Sequence, residues 1–270
     1  MKQRSFLKWA GSKYSCLQHI LPHFTKSKRL IEPFLGSGTV FLNTQYKEYL
    51  LAEKNIDLIN LYTYIQKDHE LFINFCQQYF CTANNDKKKY YDLRDEFNSL
   101  SHGKKRAALF LYLNRHGYNG LCRYNSKGGY NVPFGRHLKP SFPINNIKYF
   151  SLKSQNATFI NSDFRDTFEH ATKGDLIYCD PPYAPLQQDS NFSEYTGQNF
   201  NVDDHIDLAS LARNSADKGA RVIISNHDTK FTRELYADAC IQSFSVHRHI
   251  SRDVGNRQAV QEIIAIYDGY

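Results

Sequence analysis

The chain has 270 residues, 41% hydrophobic and 23% charged, with a formal net charge of +7. That length buries a full core in one domain, or in one domain carrying a modest insertion. No run of eighteen apolar residues occurs and the N-terminus lacks a signal peptide's hydrophobic stretch, so a cytoplasmic protein without membrane attachment is expected.

The six cysteines (Cys16, Cys76, Cys81, Cys122, Cys179 and Cys240) include no C-x-x-C pair. They read as buried thiols, not as disulfides or zinc ligands, and no metal is implied. The positive charge is concentrated. The 66 residues between Glu96 and Asp163 contain no acid and ten basic residues: Lys104, Lys105, Arg106, Arg115, Arg123, Lys127, Arg136, Lys139, Lys148 and Lys153. The rest of the chain is slightly acidic. Acids beside a phosphate backbone would be repelled, so an acid-free basic window points to nucleic acid.

In chain order, residues 29–34 (RLIEPF) predict a strand that ends in a glycine turn at Gly36 and Gly38. A helix is expected over 39–46 and a second strand over 49–52. This is the opening of a doubly wound α/β sheet. Helical periodicity follows over 57–80, 88–100 and 104–115, with a solvated loop at 84–89. Residues 116–143, rich in Gly, Asn, Tyr and Pro, predict an irregular surface segment. Strands are expected over 157–160, 175–179, 220–225, 241–250 and 260–267, and a helix over 202–218. The last two strands predict a hairpin across a polar turn, 251–257. The organisation read here is an α/β domain (1–55 and 146–270) interrupted by a mostly helical insertion (56–145).

Gly36 and Gly38 let the backbone approach a ligand where a Cβ would intrude. Glu53, at the end of the next strand, stands where an acid accepts hydrogen bonds from ribose hydroxyls. That pairing serves either a dinucleotide or S-adenosylmethionine. The dinucleotide pattern G-x-G-x-x-G is incomplete, because Phe41 occupies its third glycine position.

The apolar run 176–179 (LIYC) stops at Asp180-Pro181-Pro182-Tyr183. Methylating the N6 amine of adenine requires that group to pyramidalise, directing its hydrogens at acceptors while the lone pair meets an electrophilic methyl. Asp180 and the carbonyl of Pro181 supply two acceptors, the latter fixed by the proline ring. Tyr183 offers a flat face to an extruded base. Alignment and charge stabilisation are then the main requirements.

With these residues in hand, the chain resembles the Dam-type family of DNA adenine-N6 methyltransferases over nearly its whole length. The resemblance is carried by residues 6–13 (FLKWAGSK), 32–38 (EPFLGSG), 111–125 (LYLNRHGYNGLCRYN), 131–136 (NVPFGR), 180–185 (DPPYAP) and 225–228 (SNHD). It implies a Rossmann-like, seven-stranded mixed methyltransferase sheet with a helical DNA-recognition insertion. It also implies S-adenosylmethionine as cofactor and double-stranded DNA as partner, with the adenine of GATC flipped out for methylation.

By motif match, Trp9, Lys13, Phe34, Gly36, Gly38, Glu53 and Asp180 would hold the cofactor; family members usually carry aspartate where this chain has Glu53. The basic segment matches the family's reading region. Arg123 suits O6 and N7 of guanine. Leu121 and Pro133 would meet a thymine methyl, and Tyr118 and Asn119 would fill the stack left by adenine. Lys8 resembles another base contact, Arg136 a phosphate contact, and His137 stands where the family often has tyrosine.

The pair His247 and His249 reads as a polar strand face without a third metal ligand, and His227 as structural. The polar stretch 187–199 is expected to be a mobile loop that orders over DNA. No obligatory protein partner is apparent. The alternatives are an RNA or protein-amide methyltransferase, where asparagine commonly replaces Asp180, a catalytically silent DNA-binding module, and a nicotinamide-linked oxidoreductase.

Overall fold

The structure is a computed structural model that describes residues 2–138, 140–185, 200–247 and 259–269. By compactness the chain divides into two units. The first comprises Met1–Tyr14, Gly36–Thr44 and Asn55–Asn161; the second comprises Ser15–Leu35, Gln45–Lys54 and Ser162–Tyr270.

The elements in chain order are α1 (Leu17–Ile20), β1 (Arg29–Glu32), α2 (Thr39–Leu42), β2 (Glu48–Glu53), α3 (Ile56–Lys67), α4 (His69–Gln77), α5 (Lys87–Ser99) and α6 (Lys104–His116). There follow α7 (Ile144–Lys153), β3 (Ala157–Asn161), α8 (Phe164–Glu169), β4 (Leu176–Cys179), α9 (Val202–Asp217), β5 (Arg221–His227), α10 (Lys230–Leu235), β6 (Cys240–His247) and β7 (Ala259–Tyr267).

Among the described residues the strands form one seven-stranded mixed sheet in the order β3-β2-β1-β4-β5-β7-β6. β1 runs parallel to β2 and β4, and β4 runs parallel to β5. β7 is antiparallel to both β5 and β6. The expected α/β class and the expected antiparallel pairing of the last two strands are therefore present; the turn expected at 251–257 lies outside the described residues. β4 is buried along its whole length, as a central parallel strand covered on both faces must be. The strand order reverses between β1 and β4, and in open sheets of this kind ligands bind beyond the carboxyl ends of the strands at such a point. Those ends lead into residues 33–38 and 180–183.

Several expectations need correction. The helix expected over 39–46 stops at Leu42, because Asn43 donates to the Thr39 carbonyl at 2.8 Å and Thr44 to that of Phe41 at 3.1 Å. The helix expected over 57–80 is two, broken at Asp68, whose side chain accepts the Leu71 N–H at 2.9 Å as the cap of α4. The fifth strand reaches His227, two residues beyond the expected 220–225. Helices α7, α8 and α10 were not expected. Of the cysteines, Cys16, Cys76 and Cys179 are buried as expected, but Cys81 and Cys240 are exposed and Cys122 is half-buried; all six are free.

In the first unit α6 is the core helix. Residues 107–114 are buried on every face of it, which makes it a central element and not an amphipathic surface helix. No helix among the described residues is long and apolar enough to cross a membrane.

Candidate functional site

In the second unit, β4 delivers the chain into Asp180 and the proline pair. Asp180 is half-buried, Pro181 buried and Tyr183 half-buried. The turn is held by its strand neighbours. Ser225 of β5 places its hydroxyl 3.3 Å from Asp180 Oδ1 and 2.9 Å from the Tyr178 hydroxyl. Just past the turn, the Ala184 N–H donates to Asn226 Oδ1 at 3.0 Å, and the Ala184 carbonyl lies 2.6 Å from His227 Nδ1. A carbonyl only accepts, so Nδ1 carries the proton. His227, expected to be structural, is the buried end of β5 and acts on this turn.

Tyr183 donates its hydroxyl to Glu262 Oε2 of β7 at 3.1 Å, and its ring meets His227 edge-on at 4.8 Å. Burial, followed by the negative charges of Asp180 and Glu262, holds the Tyr183 phenol well above its ordinary pKa, so it stays a neutral donor. Phe34, beyond the end of β1, stacks on Phe164 at 5.3 Å and meets Phe200 edge-on at 5.7 Å. Glu53 is the last residue of β2, as expected, and its neighbour Lys54 pairs with Asp163 at 3.1 Å.

In the first unit the glycine turn meets the N-terminal segment. Gly36 and Gly38 both have positive φ, 49° and 68°. A Cβ on Gly36 would lie 3.0 Å from Trp9 Nε1, so a side chain there would crowd the indole. The Tyr62 hydroxyl donates to the Gly36 carbonyl at 2.5 Å. Lys13 is buried, with Nζ donating to the Gly11 carbonyl at 3.0 Å.

The segment 116–143 is more ordered than the sequence suggested. Tyr124 and Tyr130 form an isolated antiparallel bridge that closes a short hairpin, and Asn125 Oδ1 accepts the N–H groups of Lys127 and Gly129 across its tip. Arg123 stands exposed, braced by Asn131, whose Oδ1 accepts from Nε at 2.7 Å. Its neighbour Tyr124 donates to Asp57 at 2.7 Å.

Tyr118, Asn119, Pro133 and Arg136 are exposed, and Leu121 is half-buried. Asn119 and Arg136 both adopt φ 52°, a left-handed conformation uncommon outside glycine. Lys8 is brought beside this segment: Asn114 clamps its backbone N–H and carbonyl at 2.9 and 2.7 Å, and a Cβ on Gly120 would fall 2.3 Å from Lys8 Cβ. Lys8 Nζ lies 3.1 Å from both the Arg115 carbonyl and His137 Nε2. Burial and the Arg115 charge lower its pKa. Among the ten cations of the acid-free window, Arg106 is committed inward, forking onto buried Asp57 at 2.6 and 3.0 Å.

A family model described as D12 class N6 adenine-specific DNA methyltransferase matches residues 9–250. The chain belongs to this family. It is 46% identical to the DNA adenine methylase of Vibrio cholerae serotype O1, covering 98% of this chain and 96% of that one. It is equally identical to that of Serratia marcescens, over 98% and 99% of the two chains, and 44% identical to that of Escherichia coli strain K12, over 98% and 96%. The protein is thus an adenine-specific DNA methyltransferase.

For a D12 methyltransferase, the sequence reading gave no role to Asn114 or Asn226, though both stand in the motifs quoted above, and it missed Glu262 and the Asp163–Phe164 pair. Two left a signal. Asn114 directly follows the apolar run 107–113 of α6, and Glu262 directly precedes the apolar run 263–267 of β7; a polar residue adjoining such a run is commonly buried with a partner. His249, of the paired-histidine reading, and residues 187–199, of the loop reading, lie outside the described residues.

Proposed function

We propose that this methyltransferase takes its methyl group from S-adenosylmethionine, acts on double-stranded DNA at GATC, and flips the target adenine out of the helix to reach N6. The observation that carries the reading is Asp180 at the mouth of β4, its carboxylate oriented by Ser225 and followed by the fixed carbonyl of Pro181. These two acceptors would take the N6 hydrogens, and Tyr183 would lie against the base.

The glycine turn supports a nucleoside cofactor, since a Cβ at Gly36 would fill the space beside the Trp9 indole. Trp9, Lys13, Gly36 and Gly38 are assigned to it, as are Phe34, Glu53 and Asp180, with Glu53 on the ribose hydroxyls. S-adenosylmethionine, when bound, supplies a methyl on a positively charged sulfur. Asp180 holds the amine so that its lone pair faces that methyl. The nitrogen becomes acidic only once it has gained positive charge, so Asp180 need not be a strong base to receive the proton.

Residues 1–55 and 146–270 are assigned to cofactor and catalysis, and 56–145 to target recognition. Arg123 is the guanine reader, Leu121 and Pro133 contact a thymine methyl, Lys8 contacts a second base, and Tyr118 and Asn119 occupy the emptied stack. Arg136 fixes position through phosphate, and His137 stands beside Lys8.

The test is methyl transfer from labelled S-adenosylmethionine to two duplexes that differ only in a scrambled GATC. Label in the GATC duplex alone supports cofactor and sequence together. Label in both removes the sequence assignment and leaves the chemistry. Tight DNA binding without label from this donor in either duplex refutes the cofactor assignment.

A further inference from the structure

Glu262 sits in β7 opposite His227 of β5 in the antiparallel register and is only 4% exposed. A carboxylate in a sheet interior is costly unless donors meet it. Tyr183 is such a donor, its hydroxyl 3.1 Å from Oε2, and a hydrogen bond onto a charged acceptor is among the stronger kinds.

The proline pair fixes the backbone before Tyr183, and Asn226 with His227 fixes the backbone after it through both polar groups of Ala184. Neither device sets the χ1 and χ2 angles of the Tyr183 side chain, which decide where the ring face points. The ring is held at its tip by Glu262, with Ser225 a further hydrogen-bond partner of the hydroxyl, and along its side by His227, at 80° between planes.

We infer that Glu262 is a positioning residue for methyl transfer: by accepting the Tyr183 hydroxyl, it holds that ring in the orientation that supports the target adenine. The inference rests on the reading of Tyr183 as the surface beneath the base. Glu262 itself acts through Tyr183. The bond matters once DNA is bound and the base is in place, so its loss falls on the rate of the bound complex and not on assembly of that complex.

The experiment is single-turnover methylation of a GATC duplex by Tyr183→Ala, Tyr183→Phe, Glu262→Leu, Glu262→Gln and the double variant Tyr183→Phe/Glu262→Leu, with duplex affinity and thermal melting measured alongside. Glu262→Leu is expected to lower the rate roughly tenfold with duplex affinity little changed. Glu262→Gln, which keeps an acceptor at the same place, should recover most of that loss. Tyr183→Phe should be at least as slow as Glu262→Leu, and the double variant should be no slower than the slower single.

Losses that multiply in the double variant, or a full rate in folded Glu262→Leu, overturn the inference. Should Glu262→Leu fail to fold, Tyr183→Phe decides alone, and a full rate there overturns it equally. A full rate in Tyr183→Ala removes the reading on which the inference rests. A slow Tyr183→Ala beside fast Tyr183→Phe keeps that reading and removes Glu262 from it.

Discussion

The turn at 180–184 and the hairpin at 123–131 are both loops, yet they are held by different means. The turn leaves a central strand, and its fasteners stand on strands of the same sheet: Ser225, Asn226 and His227 on β5 and Glu262 on β7. Among the described residues the hairpin joins no sheet. Its roots are tied by single side chains of helices: Asn98 of α5 bonds both the N–H and the carbonyl of Tyr130, Tyr90 of α5 donates to the Val132 carbonyl, and Asp57 of α3 accepts from Tyr124. Its tip and Arg123 stand in solvent. In the function proposed above, chemistry on N6 needs acceptors placed to a fraction of an ångström, which a sheet supplies, whereas reading bases in a groove needs reach from a fixed base.

The largest effect is expected where the hairpin's root is cut. Asp57 is 2% exposed and satisfies Arg106 and Tyr124 together. Asp57→Ala leaves the half-buried Arg106 guanidinium without its counter-charge, although the Phe97 and Leu100 carbonyls still accept from it, and should cost about 3 kcal/mol in denaturant unfolding. Unfolding within about 1 kcal/mol of the parent would show that the root is not fixed there.

The next effect concerns acid. Burial pushes His116, on the hairpin's side, and His205, on α9, down to about 4 from 6.5. The unfolded chain therefore takes up protons first as pH falls, so this contribution is full above about 6.5 and is lost down to about 4. Each histidine should remove on the order of 2 kcal/mol by pH 5. His205 Nδ1 has no hydrogen-bond partner among the described residues, so His205→Phe should flatten the melting-temperature profile between pH 7 and 5. A profile as steep as the parent's would place the acid sensitivity elsewhere.

Arg123→Ala separates the two regions by function. It should cost about 1–3 kcal/mol of discrimination between GATC and a duplex altered at the guanine, while the single-turnover rate at saturating DNA changes little. Equal losses on both duplexes would make Arg123 a phosphate contact. The smallest effect is on the other side: Ser225→Ala removes one hydroxyl from Asp180 and should slow the bound complex by about 1 kcal/mol, with discrimination intact.

How much of this the sequence disclosed follows from the same contrast. β4 and its turn were legible because a run of four buried apolar residues ends in punctuation of fixed conformation, and Asp180 and Tyr183 flank it. Glu53 at the end of β2 was legible for the same reason. The hairpin was read as irregular because its order comes from bonds spanning long sequence separations, such as Asn98 to Tyr130 and Asp57 to Tyr124, which no local pattern records. The break at Asp68 was lost because helical periodicity continues through it, although the aspartate is a capping residue. Six-residue helices such as α8 and α10 are too short for periodicity to register, even where Thr229 and Thr232 form a capping box. Charge counting placed the basic window but overstated its free cations, since Arg106 faces Asp57.

The most direct test of the central claim, that Asp180 on the β4 turn directs a methyl group to N6 of adenine, is nucleoside analysis of methylated DNA. The parent protein and Asp180→Ala would each be incubated with labelled S-adenosylmethionine and a GATC duplex, and the DNA digested to nucleosides. Label is expected only in N6-methyldeoxyadenosine, falling by about a hundredfold or more in the variant. Label on cytosine, or an undiminished yield from Asp180→Ala, would contradict the account.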